Sequence, residues 1–162
     1  MASQNGFDAI VNAANADLKP GGGVAGVIHR AAGKGLYEEC KQLAPIKTGE
    51  AVITSGHNLP NRYVIHTLGP IYGVDENPAE KLADSYRNSI KKAEENQLKS
   101  IAFPAISTGF FGYPMKEAAH IAFSTILKLI PKLRFIKHIR FVLYSDRDLA
   151  IHEEILSALI GN

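Results

Sequence analysis

The sequence has few cysteines and no long apolar run, and each shortage excludes a class of protein. Cys40 is the single cysteine among 162 residues, so an intrachain disulfide is impossible and a reducing compartment is favoured. No apolar stretch approaches the roughly 18 residues that a bilayer-spanning helix requires. Residues 1–6 have neither the basic region nor the apolar core of a signal peptide. We therefore expect a cytoplasmic protein that does not bind membranes.

An excess of charge of one sign is also lacking. Lys and Arg total 18, Asp and Glu total 16, and the formal net charge is +2. This balance argues against bulk or sequence-specific binding to nucleic acid, while a small anionic ligand in a shaped pocket stays possible. The six histidines are scattered and lack the spacing of metal ligands, so we expect no metal site.

The remaining composition is that of one ordinary globular domain. Hydrophobic residues make up 46% and charged residues 21% of the chain. A chain of 162 residues is long enough to bury its own core and too short to favour two domains. No internal repeat or Pro/Gly/Ser-rich linker divides it. We expect a single domain over residues 1–162.

Strand-like and helix-like patterns alternate along the chain. Strands are predicted at residues 8–12, 50–55, 63–67, 100–106 and 138–144, with Pro104 marking a bulge or the end of its strand. Helices are predicted at residues 23–33, 34–44, 78–96, 114–130 and 147–160. Asn77 is expected to cap the third helix, with Glu80 closing a capping box. The last helix is expected to bury Ile151, Ile155 and Leu159.

This alternation predicts an α/β fold whose mostly parallel sheet is covered by helices on both faces. The short link between the strands at residues 50–55 and 63–67 indicates one antiparallel pair. Ligands of such sheets bind at the carboxyl ends of the strands. The segments that follow residues 12 and 106 are therefore the candidate ligand loops.

A glycine cluster follows the first predicted strand. Gly21, Gly22 and Gly23 let a ligand approach the backbone, and the helix that follows offers free N–H groups at its N-terminus. This suits a phosphate, although glycines alone are as typical of a turn and helix cap. Asn15 lies between the strand and the glycines, where its carboxamide can bind a ribose hydroxyl and orient a water molecule. Asn12 could do the same or could instead hold the loop in place.

A second candidate loop runs from Ser107 to Gly112, again between a strand and a helix. Its backbone N–H groups and hydroxyls could bind a second phosphate, and its two phenylalanines could cover a sugar or base. An ordinary loop with two core phenylalanines is the alternative. Two such loops together favour one bipartite diphosphate site. A structural role is favoured for His29 and His66, and an inert buried thiol for Cys40.

Four sequence blocks occur in order at residues 8–33, 48–60, 63–70 and 100–114, and they include DAIVNAAN, GGGVAGVIHRAAG and AISTGFFGYP. These blocks resemble the macro domain family, in particular its MacroD-type branch. The resemblance implies a three-layer α/β/α sandwich that binds ADP-ribose on a mixed, mostly parallel sheet of five to six strands. Many members hydrolyse ADP-ribose from modified acidic side chains or deacetylate O-acetyl-ADP-ribose. A non-catalytic ADP-ribose-binding module is the alternative hypothesis, and a scaffold with a degenerate pocket is a weaker one.

The resemblance also implies roles for individual residues. Asn15 is expected to contact the distal ribose and to place the attacking water. Phe111 is expected to pack against that ribose and Tyr144 to lie near adenine. No cofactor is implied, and the expected partners are ADP-ribose or ADP-ribosylated proteins, bound by a monomer or weak dimer. The ligand-binding residues predicted from the loops and from the resemblance together are Asn12, Gly22, Gly23, Val24, Ser107, Thr108, Gly109, Phe110, Phe111 and Tyr144.

Two features depart from the family pattern. Ala25 stands where the MacroD branch has an Asp. Other macro domains also have the run GGGVA, with alanine at this position. Without the Asp, a ligand phosphate would have to help activate the water. Macro domains usually begin with a further strand and a segment of the type GDI, whose Asp contacts adenine. The residues before Asp8 supply neither. We therefore expect the first edge strand to be missing and a sheet edge to be exposed, unless the sequence as given starts within that segment. Dimerisation could cover the edge, or adenine contacts could come from elsewhere.

Overall fold

The computed structural model describes residues 1–161, in which strands and helices alternate as the patterns predict. The strands are β1 (Ala9–Ala13), β2 (Ala51–Ser55), β3 (Tyr63–Thr67), β4 (Ser100–Phe103) and β5 (His138–Phe141). The helices are α1 (Gly23–Ala32), α2 (Lys34–Cys40), α3 (Pro78–Glu95), α4 (Met115–Leu129) and α5 (Asp146–Ile160). A short 3-10 helix, Ile130–Lys132, follows α4. Within residues 1–161, no helix is both long and apolar enough to cross a bilayer.

One five-stranded sheet has the order β2-β3-β1-β4-β5. Only β2 and β3 pair antiparallel, whereas β1 pairs parallel with both β3 and β4, and β4 pairs parallel with β5. The prediction of a mixed, mostly parallel sheet with one antiparallel pair is therefore confirmed. β1 lies at the centre, which explains its continuous apolar run Ala9-Ile10-Val11, because a strand covered on both faces needs no polar alternation.

Two apolar layers cover the two faces of the sheet. On one face, α3 and α4 pack against β1, β3 and β4, and the stripe predicted for α3 is buried there: Leu82, Tyr86, Ile90 and Ala93. On the other face, α1 and α2 bury Ile28, Ala32 and Leu36 against Ile10 and Val64. The three-layer α/β/α architecture is confirmed, and both layers leave the carboxyl ends of the strands uncovered for a ligand site.

Several predicted element ends are wrong, because the hydrophobic pattern does not record the backbone hydrogen bonds and side-chain contacts at which an element stops. β4 ends at Phe103, because Pro104 has no N–H to donate to the neighbouring strand. This agrees with the prediction that Pro104 marks a bulge or the end of its strand. β5 ends at Phe141 rather than residue 144, and α2 ends at Cys40 rather than residue 44. Asn77 adopts a left-handed φ of 49° and its side chain caps nothing, so the predicted capping box is wrong.

The burial predicted for α5 is also wrong. Ile151, Ile155 and Leu159 are only half-buried, and His152 is the buried residue of this helix. The His152 ring lies 5.8 Å from the ring of Phe141 and 5.7 Å from that of Phe123. α5 therefore packs at the β5 edge of the sheet. The edge offers less apolar surface than the centre, so fewer apolar side chains of α5 are buried.

Tyr86 connects α3 to the segment that follows β4. Its buried hydroxyl donates a hydrogen bond to the carbonyl of Pro104 (3.3 Å) and accepts one from the N–H of Ile106 (3.1 Å). We expect Tyr86→Phe to lower the free energy of unfolding by about 1–3 kcal/mol, because two buried backbone groups lose their partner. Denaturant unfolding measures this loss.

Tyr63→Phe is the matched control, because the Tyr63 hydroxyl has no hydrogen-bond partner within residues 1–161. Its ring packs partly buried against the same core. We expect this control to change the free energy of unfolding by less than about 0.5 kcal/mol. Equal losses in the two variants would contradict the role assigned to the Tyr86 hydroxyl.

Candidate functional site

A cleft of about 730 Å³ lies at the carboxyl ends of β1, β4 and β5. Its volume falls within the roughly 300–1,000 Å³ that is usual for sites of small organic ligands. Three chain segments form most of its wall: residues 13–27 after β1, residues 104–111 after β4, and residues 142–148 after β5. The structure thus brings together the two loops that the sequence predicted and adds a third segment.

The glycine loop opens α1 without a side-chain cap. Gly22 is the N-cap, Gly23 has a left-handed φ of 56°, and both line the cleft with Val24. The first N–H groups of a helix have no partner within the helix, so they remain available to an anion. A Cβ on Gly26 would clash with the carbonyl oxygen of Gly21, so this close packing of loop on helix requires glycine there.

Asn15 lies on the cleft wall with its carboxamide in a fixed orientation. Its Nδ2 donates to the carbonyl of Lys19 (2.8 Å), and its Oδ1 accepts from the N–H of Lys19 (2.9 Å). These two bonds leave one N–H and one acceptor position of the carboxamide for a ligand. The local geometry can therefore orient a ribose hydroxyl or a water molecule.

The second loop contains a strained residue. Ser107 has a left-handed φ of 68°, which is uncommon for a residue other than glycine. It is buried, and its Oγ has no hydrogen-bond partner within residues 1–161. The loop is closed by bonds from the Thr108 Oγ1 to the carbonyl of Ala105 (2.7 Å) and from the Tyr113 N–H to the carbonyl of Ser107 (2.9 Å). Strain of this kind is concentrated at functional sites.

Aromatic side chains flank the cleft at several points. Phe110 is fully exposed on its rim, while Phe111 is half-buried and its carbonyl accepts a hydrogen bond from the N–H of Tyr72 (2.8 Å). Tyr144 is fully exposed beside Val142 at the β5 end. The cleft therefore has aromatic surface on which a sugar or base can pack. The predicted ligand-binding residues Gly22, Gly23, Val24, Ser107, Thr108, Gly109, Phe110, Phe111 and Tyr144 all line it.

No lysine, arginine or histidine side chain lines the cleft in the part of the chain that the structure describes. A bound anion would therefore interact with backbone N–H groups and hydroxyls rather than with a cationic side chain. Residues 1–161 also contain no cluster of His, Cys, Asp and Glu side chains suited to a metal ion.

The structure does not bring Asn12 to the cleft. Asn12 is buried beneath it, and its Nδ2 donates to Nδ1 of His66 on the adjacent strand (3.0 Å). Nδ1 is therefore the unprotonated nitrogen, and Nε2 donates to Oγ1 of Thr54 (2.9 Å). Thr54 in turn donates to the carbonyl of Ser55 (3.1 Å). This position matches the structural alternative for Asn12, which connects β1 to β3 and β2.

Burial favours the neutral forms of His29, His66 and Cys40. Burial, together with the nearby His29, lowers the pKa of His66 to about 3. Burial also lowers the pKa of His29, whose ring nitrogens have no hydrogen-bond partner within residues 1–161. Burial and Glu39 raise the pKa of the Cys40 thiol to about 11, as expected of an inert thiol.

Sequence reasoning missed several wall residues. Gly69 lies so close to the second loop that a Cβ there would clash with Oγ of Ser107. Asp148 contributes the only charged side chain of the wall within residues 1–161. Asp148 could have been located by the rule that ligands bind at the carboxyl ends of strands. It lies in the first turn of α5, which begins five residues after the end of β5.

Comparison with known proteins places this geometry in a family. The model of the macro domain family matches residues 11–122. A macro domain-containing protein of Chlorobaculum tepidum is 51% identical over 152 residues, which cover 93% of this chain and 88% of that protein. An O-acetyl-ADP-ribose deacetylase of Klebsiella pneumoniae is 46% identical over 156 residues, which cover 93% of this chain and 89% of the enzyme.

Solved structures agree with the sequence comparison. The Oceanobacillus iheyensis macrodomain with ADP superposes with a TM-score of 0.94 at 42% identity, covering 99% of this chain and 88% of the other. A Trypanosoma brucei macrodomain in complex with ADP-ribose superposes with a TM-score of 0.86 at 38% identity, covering 91% of this chain and 62% of the other.

The neutral state of His66 predicts a loss of stability in acid. The unfolded chain binds a proton at this histidine below pH of about 6.5, whereas the folded protein does so only near pH 3. The contribution of the neutral His66 to the free energy of unfolding is thus fully present above a pH of about 6.5. Between that pH and about pH 3 it falls by about 1.4 kcal/mol per pH unit. Denaturant unfolding at pH 7 and pH 5 measures the slope.

His66→Gln should reduce the slope of the free energy of unfolding against pH, because it removes the titrating group. The reduction corresponds to at most one proton taken up per molecule on unfolding. The remaining dependence would include His29, whose pKa is shifted in the same direction. His120→Gln, which removes an exposed histidine on α4, is the control for the loss of a histidine as such. A His66→Gln slope identical to that of the unaltered protein would argue against the neutral buried ring.

Proposed function

The chain belongs to the macro domain family, and we propose that it binds ADP-ribose and hydrolyses ADP-ribose esters of acidic side chains or of acetate. One observation carries this proposal: a single cleft contains the oriented Asn15 carboxamide, the uncapped N-terminus of α1 and the strained second loop. The Klebsiella relative is named for deacetylation of O-acetyl-ADP-ribose, and the Trypanosoma neighbour was solved with ADP-ribose, which supports both parts of the proposal.

The diphosphate would bind between the two loops. Backbone N–H groups of Gly22, Gly23 and Val24 lie on one side, and the Ser107–Phe111 segment lies on the other. Because helix N-termini and looped N–H groups carry partial positive charge, they can bind a diphosphate without a cationic side chain. The distal ribose would then lie beside Asn15 and Phe111, and adenosine beside Tyr144.

For an ester at the anomeric carbon of the distal ribose, the proposed reaction forms a bond between that carbon and the oxygen of a water molecule. The bond between that carbon and the ester oxygen breaks, and the carboxylate leaves with the electron pair. Asn15 orients the water and a ribose hydroxyl through its free N–H and acceptor position. Because Ala25 rather than an acidic residue follows the glycine loop, the water proton passes to an oxygen of the substrate diphosphate.

A second candidate function is ADP-ribose binding without hydrolysis. Ala25 is the observation that favours it, since its methyl group lies on the cleft wall where the related branch has a carboxylate. The two candidates share every binding contact and differ only in turnover. Loss of label from an ADP-ribosylated protein during incubation distinguishes them.

We also propose that the protein acts in the cytoplasm as a monomer or weak dimer on ADP-ribosylated proteins. The reduced, buried Cys40 supports a reducing compartment. An ADP-ribosylated protein can reach the cleft because Phe110 and Tyr144 on its rim are fully exposed.

Calorimetric titration tests the binding step. We expect ADP-ribose to bind with a micromolar Kd, a free energy of about −8 kcal/mol. AMP lacks the second phosphate and the distal ribose, so it loses the contacts to the glycine loop and Asn15. We expect it to bind at least about tenfold more weakly. Absence of ADP-ribose binding at millimolar concentration would contradict the proposed function.

Substitution of Asn15 tests the reaction. We expect Asn15→Ala to lower turnover of O-acetyl-ADP-ribose by about 100-fold, because the water and the ribose hydroxyl lose their orienting group. Release of acetate measures turnover. The substitution also removes the two bonds to Lys19, so some loss of stability will accompany it.

Asn88→Ala is the control for that loss. The Asn88 carboxamide likewise donates to a backbone carbonyl, that of Gly49 (2.7 Å), but it lies outside the cleft. We expect Asn88→Ala to lose stability and keep its turnover. An Asn15→Ala variant that turns over as fast as the Asn88→Ala variant would refute the role of Asn15.

A further inference from the structure

Exposed apolar side chains are concentrated on two neighbouring segments beside the cleft. Val74 is 73% exposed, Tyr72 is 41% exposed and Ile71 is 38% exposed, while Phe110 is fully exposed. These four residues form the apolar rim. Phe110 lines the cleft, whereas the other three lie outside it. Exposed apolar side chains that occur singly are ordinary on a protein surface, but a cluster of them marks an interaction surface.

Two contacts hold the segment after β3 against the second ligand loop. The N–H of Tyr72 donates to the carbonyl of Phe111 (2.8 Å), and the ring of Tyr72 lies 4.8 Å from the ring of Tyr113. Gly69, which lies two residues before Ile71, lines the cleft. The apolar rim is therefore continuous with the cleft wall at Phe111, the residue placed beside the distal ribose under the proposed function.

The turn at residues 71–75 holds its apolar side chains in a fixed arrangement. The Asp75 carboxylate accepts a hydrogen bond from the N–H of Ile71 (2.7 Å). The carbonyl of Ile71 accepts from the N–H groups of Val74 (3.2 Å) and Asp75 (3.0 Å). Gly73 supplies the left-handed φ of 81° within the turn. A partner would therefore bind to a surface that is already ordered, which lowers the entropy lost on binding.

The linkage in a modified protein places its polypeptide close to this surface. The modified carboxyl group is attached to the distal ribose, and a glutamate side chain holds its own Cα only about 4 Å from the ester carbon. The residues on either side of that glutamate therefore lie at the mouth of the cleft, where Phe111 and the apolar rim are. Acetate has no such neighbours, so O-acetyl-ADP-ribose does not reach the apolar rim.

The charges near the apolar rim disfavour an acidic partner. Residues 68–80 include Asp75, Glu76 and Glu80 and contain no lysine, arginine or histidine. Glu76 and Glu80 are exposed and form no salt bridge within residues 1–161. A polypeptide with further carboxylates beside the modified one would be repelled, whereas apolar side chains would remove the rim from water.

We propose that the apolar rim binds apolar side chains that flank the modified acidic residue, so that the protein selects ADP-ribosylated polypeptides with such flanks. This inference rests on the proposed function, because it takes ADP-ribose on an acidic side chain as the ligand of the cleft. Free ADP-ribose does not reach Ile71 or Val74. Changes at these two positions should therefore alter the affinity for modified peptides and leave that for ADP-ribose unchanged.

The experiment uses two peptides that carry ADP-ribose on a glutamine side chain, in which an amide stands in for the labile ester. Leucines flank the modified residue in one peptide, and serines flank it in the other. Calorimetry measures the Kd of the full chain for both peptides and for free ADP-ribose. We expect the leucine peptide to bind about tenfold more tightly than the serine peptide, the effect of partly burying its leucines.

The double variant Ile71→Ser, Val74→Ser removes the aliphatic surface and keeps the backbone bonds of the turn. The preference for the leucine peptide should fall to about twofold or less, and the Kd for ADP-ribose should stay within about twofold. The matched control is Ile130→Ser, Ile160→Ser, because these isoleucines are also exposed and lie outside the cleft. It should keep the tenfold preference, and circular dichroism verifies that both variants fold.

Every result of this comparison decides the inference. If ADP-ribose binds but the two peptides bind equally, if neither peptide binds, or if the double variant keeps the full preference, the role of the apolar rim is overturned and the proposed function stands. If none of the three ligands binds, both fail together. Equal binding of the peptides with a dimer that dissociates in the double variant, measured by light scattering, would instead assign the rim to a second copy of the chain. The tenfold preference, lost only in the double variant, supports the inference.

Discussion

The parallel pairing of β1 with β4 is the constraint on which the site depends. Ala9 pairs with Ile101 and Ile10 with Ala102, so both strands run in the same direction and end at the same edge of the sheet. The two ligand loops leave these ends as neighbours, although more than 80 residues separate them in the chain. An antiparallel arrangement would have placed one loop at the opposite edge, and no common cleft would have formed.

The hydrogen bonds of the two asparagines in the sequence VNAAN explain why one is buried beneath the cleft and the other lies on its wall. Asn12 lies within β1 and bonds to His66, while Asn15 lies beyond the strand and bonds to the backbone of Lys19. A buried, hydrogen-bonded network fixes the relative placement of neighbouring strands more specifically than apolar contact alone. Asn15 is thus oriented by short-range bonds on a strand that is itself anchored by buried ones.

The positive potential that an anionic ligand needs comes from backbone N–H groups of the cleft rather than from cationic side chains. Since helix N-terminal and loop N–H groups would bind the diphosphate, the wall needs no lysine or arginine, and none is present in the described part of the chain. This matches the near-zero net charge of the whole sequence, which by itself gave no indication of an anionic ligand.

The sequence by itself determined the elements and the two ligand loops, because hydrophobic periodicity, glycine position and strand-end geometry are local properties. The predicted strand at residues 63–67 has the bounds of β3, and the α3 stripe is buried as its spacing requires. The resemblance to macro domains supplied the ligand and the roles of individual residues. Only the tertiary structure decided the partners of Asn12, the missing cap at Asn77, the shallow burial of α5 and the place of Asp148 on the wall. Each of these depends on groups brought together by folding; Asn12 and His66 are 54 residues apart along the chain, and no local pattern records such a contact.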